Sequence, residues 1–459
     1  MKRVLVLGAG MVARPLVSCL LARDDLEVTV ADVDSGRAAA LTAGAPRGRG
    51  VALDARDTAA VGALLDDCDL LVSLLPPEFE PAVTRLAVAR RRSMVSASPR
   101  GEAGMDALAG EAHAAGIALM PEVGLDPGLD HMAIARMVAR VRARGGRVLS
   151  CRSYCGGLPA PEANTNCWDY KFSWNPKGAV EASLFDARYL RDGREVYVPN
   201  TELFTKHWLV PIPGFDELEA HFNGDSLPYV GIYGLDGVRD LVRATLRYPG
   251  WAFTMRQVQK LAYNSTTELP DAPATYAALT RRLAGLAEGE DLVTGLARVL
   301  DVDAQSAVIE RLVWLGLTAD DPIVWSDGQE RTPLMALAER MFEKMMFAPG
   351  ERDLSVLHNE VVAALPAGGC ERSTATLVAY GDPGGDSSMA LTVGTPAAIA
   401  ATLLLDGRIP ETGLVMPVKP HIYEPILDAM AARGVVFDER TEPLPVSGSG
   451  SASAQEAMS

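Results

Sequence analysis

Near the start of the chain, Gly8-x-Gly10-x-x-Ala13 stands in the stretch VLVLGAGMVARP, residues 4 to 15. This spacing suits a dinucleotide: Gly8 permits a sharp turn, Gly10 lets backbone approach a pyrophosphate, and Ala13 lets the next helix pack closely on the strand. Glycines at a strand end also serve an ordinary turn, so the flanks decide. Val4 to Leu7 is an unbroken apolar run, as in a strand buried on both faces, and Val12, Leu16, Val17 and Leu20 recur behind it at helical spacing. The glycines therefore fall where a strand feeds a helix N-terminus, whose free N–H groups and positive dipole end attract an anion. Gly8, Gly10, Met11, Val12 and Ala13 are the expected phosphate-binding residues.

A second apolar run, Val28 to Ala31, ends at Asp32, 22 residues beyond Gly10, where a ribose-binding acid is expected. A carboxylate there accepts hydrogen bonds from a free 2′-hydroxyl and repels a 2′-phosphate, which favours NAD. Arg37 is near enough in sequence to keep NADP open. The bland alternative for Asp32 is a solvated turn acid.

These residues need a scaffold, and the first 130 positions supply it. Strand-like runs at 50–54, 70–76, 93–98 and 117–120 alternate with helical stretches, the pattern of a Rossmann-type α/β fold with a doubly wound parallel sheet. Ligands of such sheets lie beyond the carboxyl ends of the strands. Asp54, Leu75, Ser98, Gly124, Leu125 and Asp126 are therefore expected to line one crevice.

Composition narrows the class. The chain has 459 residues, 48% of them hydrophobic, enough for two or three domains, and 43 basic against 59 acidic residues give a net charge of −16. That balance argues against a nucleic-acid or anionic-membrane partner. No uninterrupted apolar run reads as a membrane span, and Lys2-Arg3 leads into a strand and not a signal sequence, so a cytoplasmic location is expected. Six cysteines without C-x-x-C spacing indicate neither a zinc site nor a disulfide framework.

Beyond residue 120 come PEVGLDPGLDH (121–131), SYCGGLPAPEAN (153–164), YKFSW (170–174), DSLPY (225–229), TLRYPGW (245–251), PGERD (349–353) and TVGTPAAIA (392–400). In this order the seven motifs resemble the saccharopine reductase family, the glutamate-forming saccharopine dehydrogenases. The resemblance implies a dinucleotide domain over 1–129, an inserted mixed α+β substrate and dimerisation domain over 130–392, and a C-terminal return to the first sheet over 393–445. A helical block is read at about 273–346, and 446–459 reads as a disordered tail. A homodimer is expected.

The implied chemistry is imine reduction, or secondary-amine oxidation, on an amine or amino-acid substrate. Asp126, in a Gly-Leu-Asp-Pro-Gly turn, is the candidate for orienting the amine or exchanging its proton, against a plain turn acid. Cys155 matches the family cysteine near the reacting carbon, against a small apolar filler. Lys171 and Arg247 are cations in apolar, aromatic runs and need a counter-charge, which a substrate carboxylate or a structural acid can supply. Ser98, Ser173 and Asn223 are further substrate-site candidates.

Three positions depart from the family pattern: Ser98-Pro99-Arg100 where a tyrosine is expected, Gly224 where an arginine is expected, and Asp32 where a basic residue is usual. Lost donors argue against saccharopine, with its three carboxylates, as the substrate. Glu78 and Glu80 are expected to put negative charge on the crevice rim. The alternatives are a true saccharopine reductase, a redox-neutral NAD-dependent epimerase or aminoalkyl transferase, and a nucleotide-sensing scaffold.

Overall fold

The computed structural model describes residues 1–325 and 330–444, so the tail expected over 446–459 lies outside the described residues. Two compact units are formed, the first from Met1–Leu149, Tyr229–Asp236 and Leu357–Pro445, the second from Ser150–Pro228 and Gly237–Val356.

The first unit carries the expected parallel sheet. Its strands are β1 (Lys2–Leu7), β2 (Leu26–Asp32), β3 (Gly48–Ala52), β4 (Leu70–Ser73), β5 (Ser93–Ser96) and β6 (Ala118–Met120), with Gly413–Leu414 added at the edge. The order across the sheet is Gly413–Leu414, β6, β5, β4, β1, β2, β3, and every pairing is parallel. The chain moves outward from β1 in one direction through β2 and β3, then crosses to β4 on the other side. Leu7 is in register with Ala31 and Ser73, so the crevice at this reversal opens above Gly8.

Local chemistry sets the elements. Leu70, Leu71, Val72 and Ser73 are all buried, which is why β4 reads as an unbroken apolar run. Asp34 and Asp57 each accept two backbone N–H bonds at the starts of helices Ser35–Thr42 and Thr58–Asp66.

The C-terminal return reaches the first helix, α1 (Ala13–Leu21), through helix Ser388–Leu405. A Cβ on Gly394 would meet the Val12 carbonyl oxygen at 2.5 Å and the Leu16 nitrogen at 3.1 Å, so the two helices touch backbone to backbone and require glycine there. Ser388–Leu405 is long and apolar enough to cross a membrane by length and composition, contrary to the sequence reading, but 67% of it is buried within the fold, as befits a core helix. The first unit also takes in helix Leu129–Ala143, with ten buried positions, and the strands Cys370–Tyr380 and Asp438–Leu444, paired antiparallel.

In the second unit, strand Arg147–Pro159 from Ser150 onward pairs parallel with Asp240–Arg247, which pairs antiparallel with Glu217–Phe222, and that with His207–Pro211. Helices Trp251–Lys260, Tyr276–Ala284, Leu292–Leu300, Ala307–Leu315 and Pro333–Lys344 follow, four of them within the expected helical block.

Candidate functional site

The glycine turn is built as its residue types require. Gly8 has φ +98°, and a Cβ there would meet the Leu74 carbonyl oxygen at 2.9 Å, so both backbone conformation and the close approach of the β4 end demand glycine. Gly10 is exposed, with nothing within 4 Å of its missing Cβ. Met11 is exposed beside it, Val12 is the N-cap of α1, and Ala13 is buried as the first helical residue. α1 has no side-chain cap and no acid in its first turn; the Ala13 N–H donates to the Gly10 carbonyl at 3.2 Å and Pro15 has none, so no side chain competes with an anionic ligand for what its N-terminus still offers.

Asp32 closes the turn from β2. One carboxylate oxygen accepts from the Ala9 N–H at 2.7 Å and the other from the Asp34 N–H at 2.8 Å. A carboxylate has about four acceptor positions, so room remains for a ribose hydroxyl. Arg37 is paired with Asp34, at 3.3 Å. Asp54 pairs with Arg56 at 2.7 Å, whose hydrogen bonds hold its pKa down at about 2, so its charge is committed to its own turn.

Leu75 and Ser98 lie half-buried just past β4 and β5. The Leu75 N–H points to Ser73 Oγ at 3.4 Å, and the Ser98 N–H donates to Ser96 Oγ at 3.0 Å. Glu80 corrects the sequence reading: Glu78 is exposed, but Glu80 opens helix Glu80–Ala89 and is fully buried. Its carboxyl is turned into the fold, where the Ser73 and Ser96 hydroxyls at the ends of β4 and β5 meet it. Ser73 Oγ donates to Glu80 Oε1 at 2.5 Å, and burial pushes the pKa up to about 7 against the opposing effect of the Ser73 and Ser96 hydroxyls.

After β6, residues 124–128 fold into a tight loop. The Gly124 N–H donates to the Pro127 carbonyl, the Leu129 N–H donates to the Gly124 carbonyl, and the Asp126–Pro127 peptide is cis. A Cβ on Gly128 would meet Gly124 backbone at 2.1 Å, so no other residue fits. Gly124 and Leu125 are buried, and Asp126 is half-buried at the tip.

Cys155, Lys171, Ser173, Asn223 and Arg247 belong to the second unit. Cys155 is buried in strand Arg147–Pro159, opposite Thr245, and neighbouring Gly156 is required because a Cβ there would meet Leu246 at 2.9 Å. Ser173 is buried, and the half-buried Asn223 donates its N–H to the Arg243 carbonyl.

The two cations differ. Lys171 Nζ is bonded to both oxygens of Glu351, at 2.5 and 2.6 Å, and to Thr165 Oγ1 at 2.9 Å, so here a structural acid supplies its counter-charge. Arg247 lies 4.7 Å from the Tyr170 ring centroid and 5.4 Å from that of Trp251. Among the described residues no carboxylate pairs with it. Glu219, opposite it on the adjacent strand, is held instead by the N–H groups of Gly250 and Ala252. Buried His221 on the same strand as Glu219 stays neutral, its pKa pushed down to about 3 by burial and then by the Arg247 charge. Gly224, at φ +59°, leaves open space, and Arg188 beside it pairs with Asp225 and Glu195.

With this geometry in hand, comparison with known proteins is specific. Residues 4–120 match the family model for the saccharopine dehydrogenase NADP binding domain, and residues 124–435 that for the saccharopine dehydrogenase C-terminal domain. The chain belongs to the saccharopine dehydrogenase family. It is 34% identical over 451 residues to the Saccharomyces cerevisiae saccharopine dehydrogenase [NADP(+), L-glutamate-forming], covering 96% of this chain and 99% of that one. The mitochondrial alpha-aminoadipic semialdehyde synthase of Bos taurus is also 34% identical, and there the match spans 47% of the relative's length. The solved apo structure of the yeast saccharopine dehydrogenase superposes with a TM-score of 0.83, 33% identity, and coverage of 96% of this chain and 100% of that one.

For this saccharopine dehydrogenase family member, the residue sets divide by unit. Gly8, Gly10, Asp32, Leu75, Ser98 and Gly124 to Asp126 sit at the carboxyl ends of one sheet, whereas Cys155 and Arg247 are in the other unit. Among the described residues no group of three or more His, Cys, Asp or Glu is placed to hold a metal ion. Sequence reasoning missed the polar cluster behind the Asp126 loop: Glu122, Asp130 and His131 are all buried, with Tyr229 OH 3.4 Å from Glu122 and Tyr233 OH 2.5 Å from His131. The signal available was the run of charged and imidazole residues flanking an apolar glycine turn in PEVGLDPGLDH.

Proposed function

We propose that the chain is an NAD-dependent oxidoreductase that reduces an imine to a secondary amine, or runs the reverse, on an amine or amino acid with fewer carboxylates than saccharopine. The observation that carries this is the contrast between two of its buried cations, Lys171 and Arg247. Lys171 is neutralised by Glu351, whereas Arg247 is buried on two aromatic faces with one nitrogen bonded to the Leu246 carbonyl and, among the described residues, no acid paired to it. A buried guanidinium without a counter-ion is costly, and a substrate carboxylate relieves that cost. One such cation fits one recognised carboxylate, and Gly224 adds none.

The turn at Gly8 and Gly10, the uncapped start of α1 and Asp32 fit a dinucleotide. When bound, a reduced nicotinamide supplies a hydride to the imine carbon, and the imine nitrogen takes up a proton. Asp126 is the residue we assign to orient that nitrogen or exchange the proton. Asp32 accepts from a 2′-hydroxyl and disfavours a 2′-phosphate, so NAD is proposed although the relatives' names specify NADP(+).

The test is an NADH-oxidation screen of amines and amino acids paired with aldehydes and keto acids, with product masses, run beside saccharopine. A monocarboxylate pair turned over at least about ten-fold more efficiently than saccharopine supports the proposal. Efficient saccharopine turnover with low KM overturns the substrate reading and leaves the family's named activity. Arg247→Met should raise the KM of the preferred carboxylate substrate about 100-fold, the scale of a lost charge-assisted hydrogen bond, with cofactor binding unchanged. We also propose a homodimer.

A further inference from the structure

Three titratable side chains in the first unit have no part in the site as described and yet are almost fully buried: Glu122 at 1% exposure, Asp130 at 0% and His131 at 0%. Burying such groups is costly unless each is bonded, and these are bonded to one another and to the segments around them. Glu122 also has φ +59°, a left-handed conformation that is strained for a non-glycine residue and persists only where its surroundings impose it.

The bonds follow a path. The Glu122 N–H donates to the Ser98 carbonyl, and the Val123 N–H to the Ser96 carbonyl. Glu122 Oε1 accepts from the Arg100 N–H at 3.1 Å. Its Oε2 lies 2.9 Å from His131 Nε2 and accepts from Tyr229 OH at 3.4 Å. On the other side of the ring, His131 Nδ1 is 2.5 Å from Tyr233 OH and 3.3 Å from Asp130 Oδ2. Asp130 Oδ1 then accepts from the Gly128 N–H at 2.6 Å, inside the loop whose tip is Asp126. Tyr229 stacks on His131 with centroids 5.0 Å apart.

We infer that Glu122, His131 and Asp130 form a positioning relay that locks the Ser98–Arg100 segment and the Gly124–Gly128 loop into one rigid arrangement. His131 is its hub and a positioning residue, acting through Glu122 and Asp130 and touching neither substrate nor cofactor. Its consequence for turnover rests on the proposed role of Asp126, whereas its consequence for loop rigidity does not.

The experiment is hydrogen–deuterium exchange on the full chain, wild type against His131→Phe, with Tyr233→Phe as a milder variant that keeps its ring and loses one hydroxyl. Exchange in peptides covering 96–102 and 121–131 should rise about ten-fold in His131→Phe and less in Tyr233→Phe, with β1 and β2 peptides unchanged. In turnover, kcat should fall about ten-fold while NADH affinity stays within about two-fold, because loop geometry and not cofactor binding is disturbed. A uniform rise across the unit, or unchanged exchange in those two peptides, overturns the relay. If His131→Phe does not fold, a selective rise in Tyr233→Phe supports the relay and its absence overturns it. A local exchange rise with unchanged kcat keeps the relay and removes the catalytic role of Asp126.

Discussion

Replacing Glu80 by glutamine should make the protein more stable at alkaline than at mildly acidic pH, relative to wild type. Glu80 is fully buried, and its pKa rises from the ordinary 4.5 to about 7 in the fold because burial disfavours its charged form. The folded state therefore holds this proton more tightly than the unfolded chain. The contribution to stability is complete below the unfolded pKa and is lost as pH rises through the folded one. Linkage puts the loss at roughly 1 kcal/mol by about pH 5.5 and roughly 3 kcal/mol by about pH 8. Glutamine has no such titration and can still accept from Ser73 Oγ, which now donates to Oε1 at 2.5 Å. The stability of Glu80→Gln minus that of wild type should thus grow by roughly 2 kcal/mol between those two pH values. Urea unfolding of both proteins at both pH values, compared through their midpoints and slopes, reads this difference. Parallel pH profiles for the two proteins would show that Glu80 is not held protonated in the fold, and the account of the buried carboxyl would fail.

Asp32→Ala should erode a preference for NADH over NADPH of about ten-fold or more, measured as the ratio of kcat/KM values; equal use of both cofactors by wild type refutes the assignment. Lys171→Met should cost about 3 kcal/mol, because it strands the Glu351 carboxylate, with no selective rise in substrate KM; a KM effect without a stability loss would return Lys171 to the substrate site. Burial works to raise the Glu351 pKa, but the hydrogen bonds and charge of Lys171 outweigh it and hold the pKa low, so that stability is present above the ordinary carboxylate range and is lost on acidification. Gly394→Ala should lower stability by about 1 to 3 kcal/mol, since its methyl meets the Val12 carbonyl at 2.5 Å; an unchanged melting temperature would contradict the close packing of the two helices. Sedimentation at micromolar concentration should give a dimer, and a stable monomer would remove that proposal.

Where residues are neighbours along the chain, the sequence already determined the outcome. The glycine turn, the six strands ending at the crevice, the Gly413 strand at the sheet edge and the loop at Asp126 follow from periodicity, turn chemistry and backbone freedom, all local properties. Boundaries shifted by a few residues, as at β4, which stops at Ser73 because Leu74 already turns past Gly8. What the sequence left open was which charge meets which. Lys171 and Arg247 look alike in their apolar runs, and only folding brought Glu351, 180 positions away, onto the first while leaving the second on two aromatic rings. Glu80 and Glu78 are two residues apart, and only the start of a helix separated a buried acid from an exposed one. His131 and Tyr233 are 102 positions apart, so the relay they share was invisible as spacing. Coulomb and desolvation energies depend on distance in space and on burial, and for residues remote in sequence the tertiary structure alone sets both.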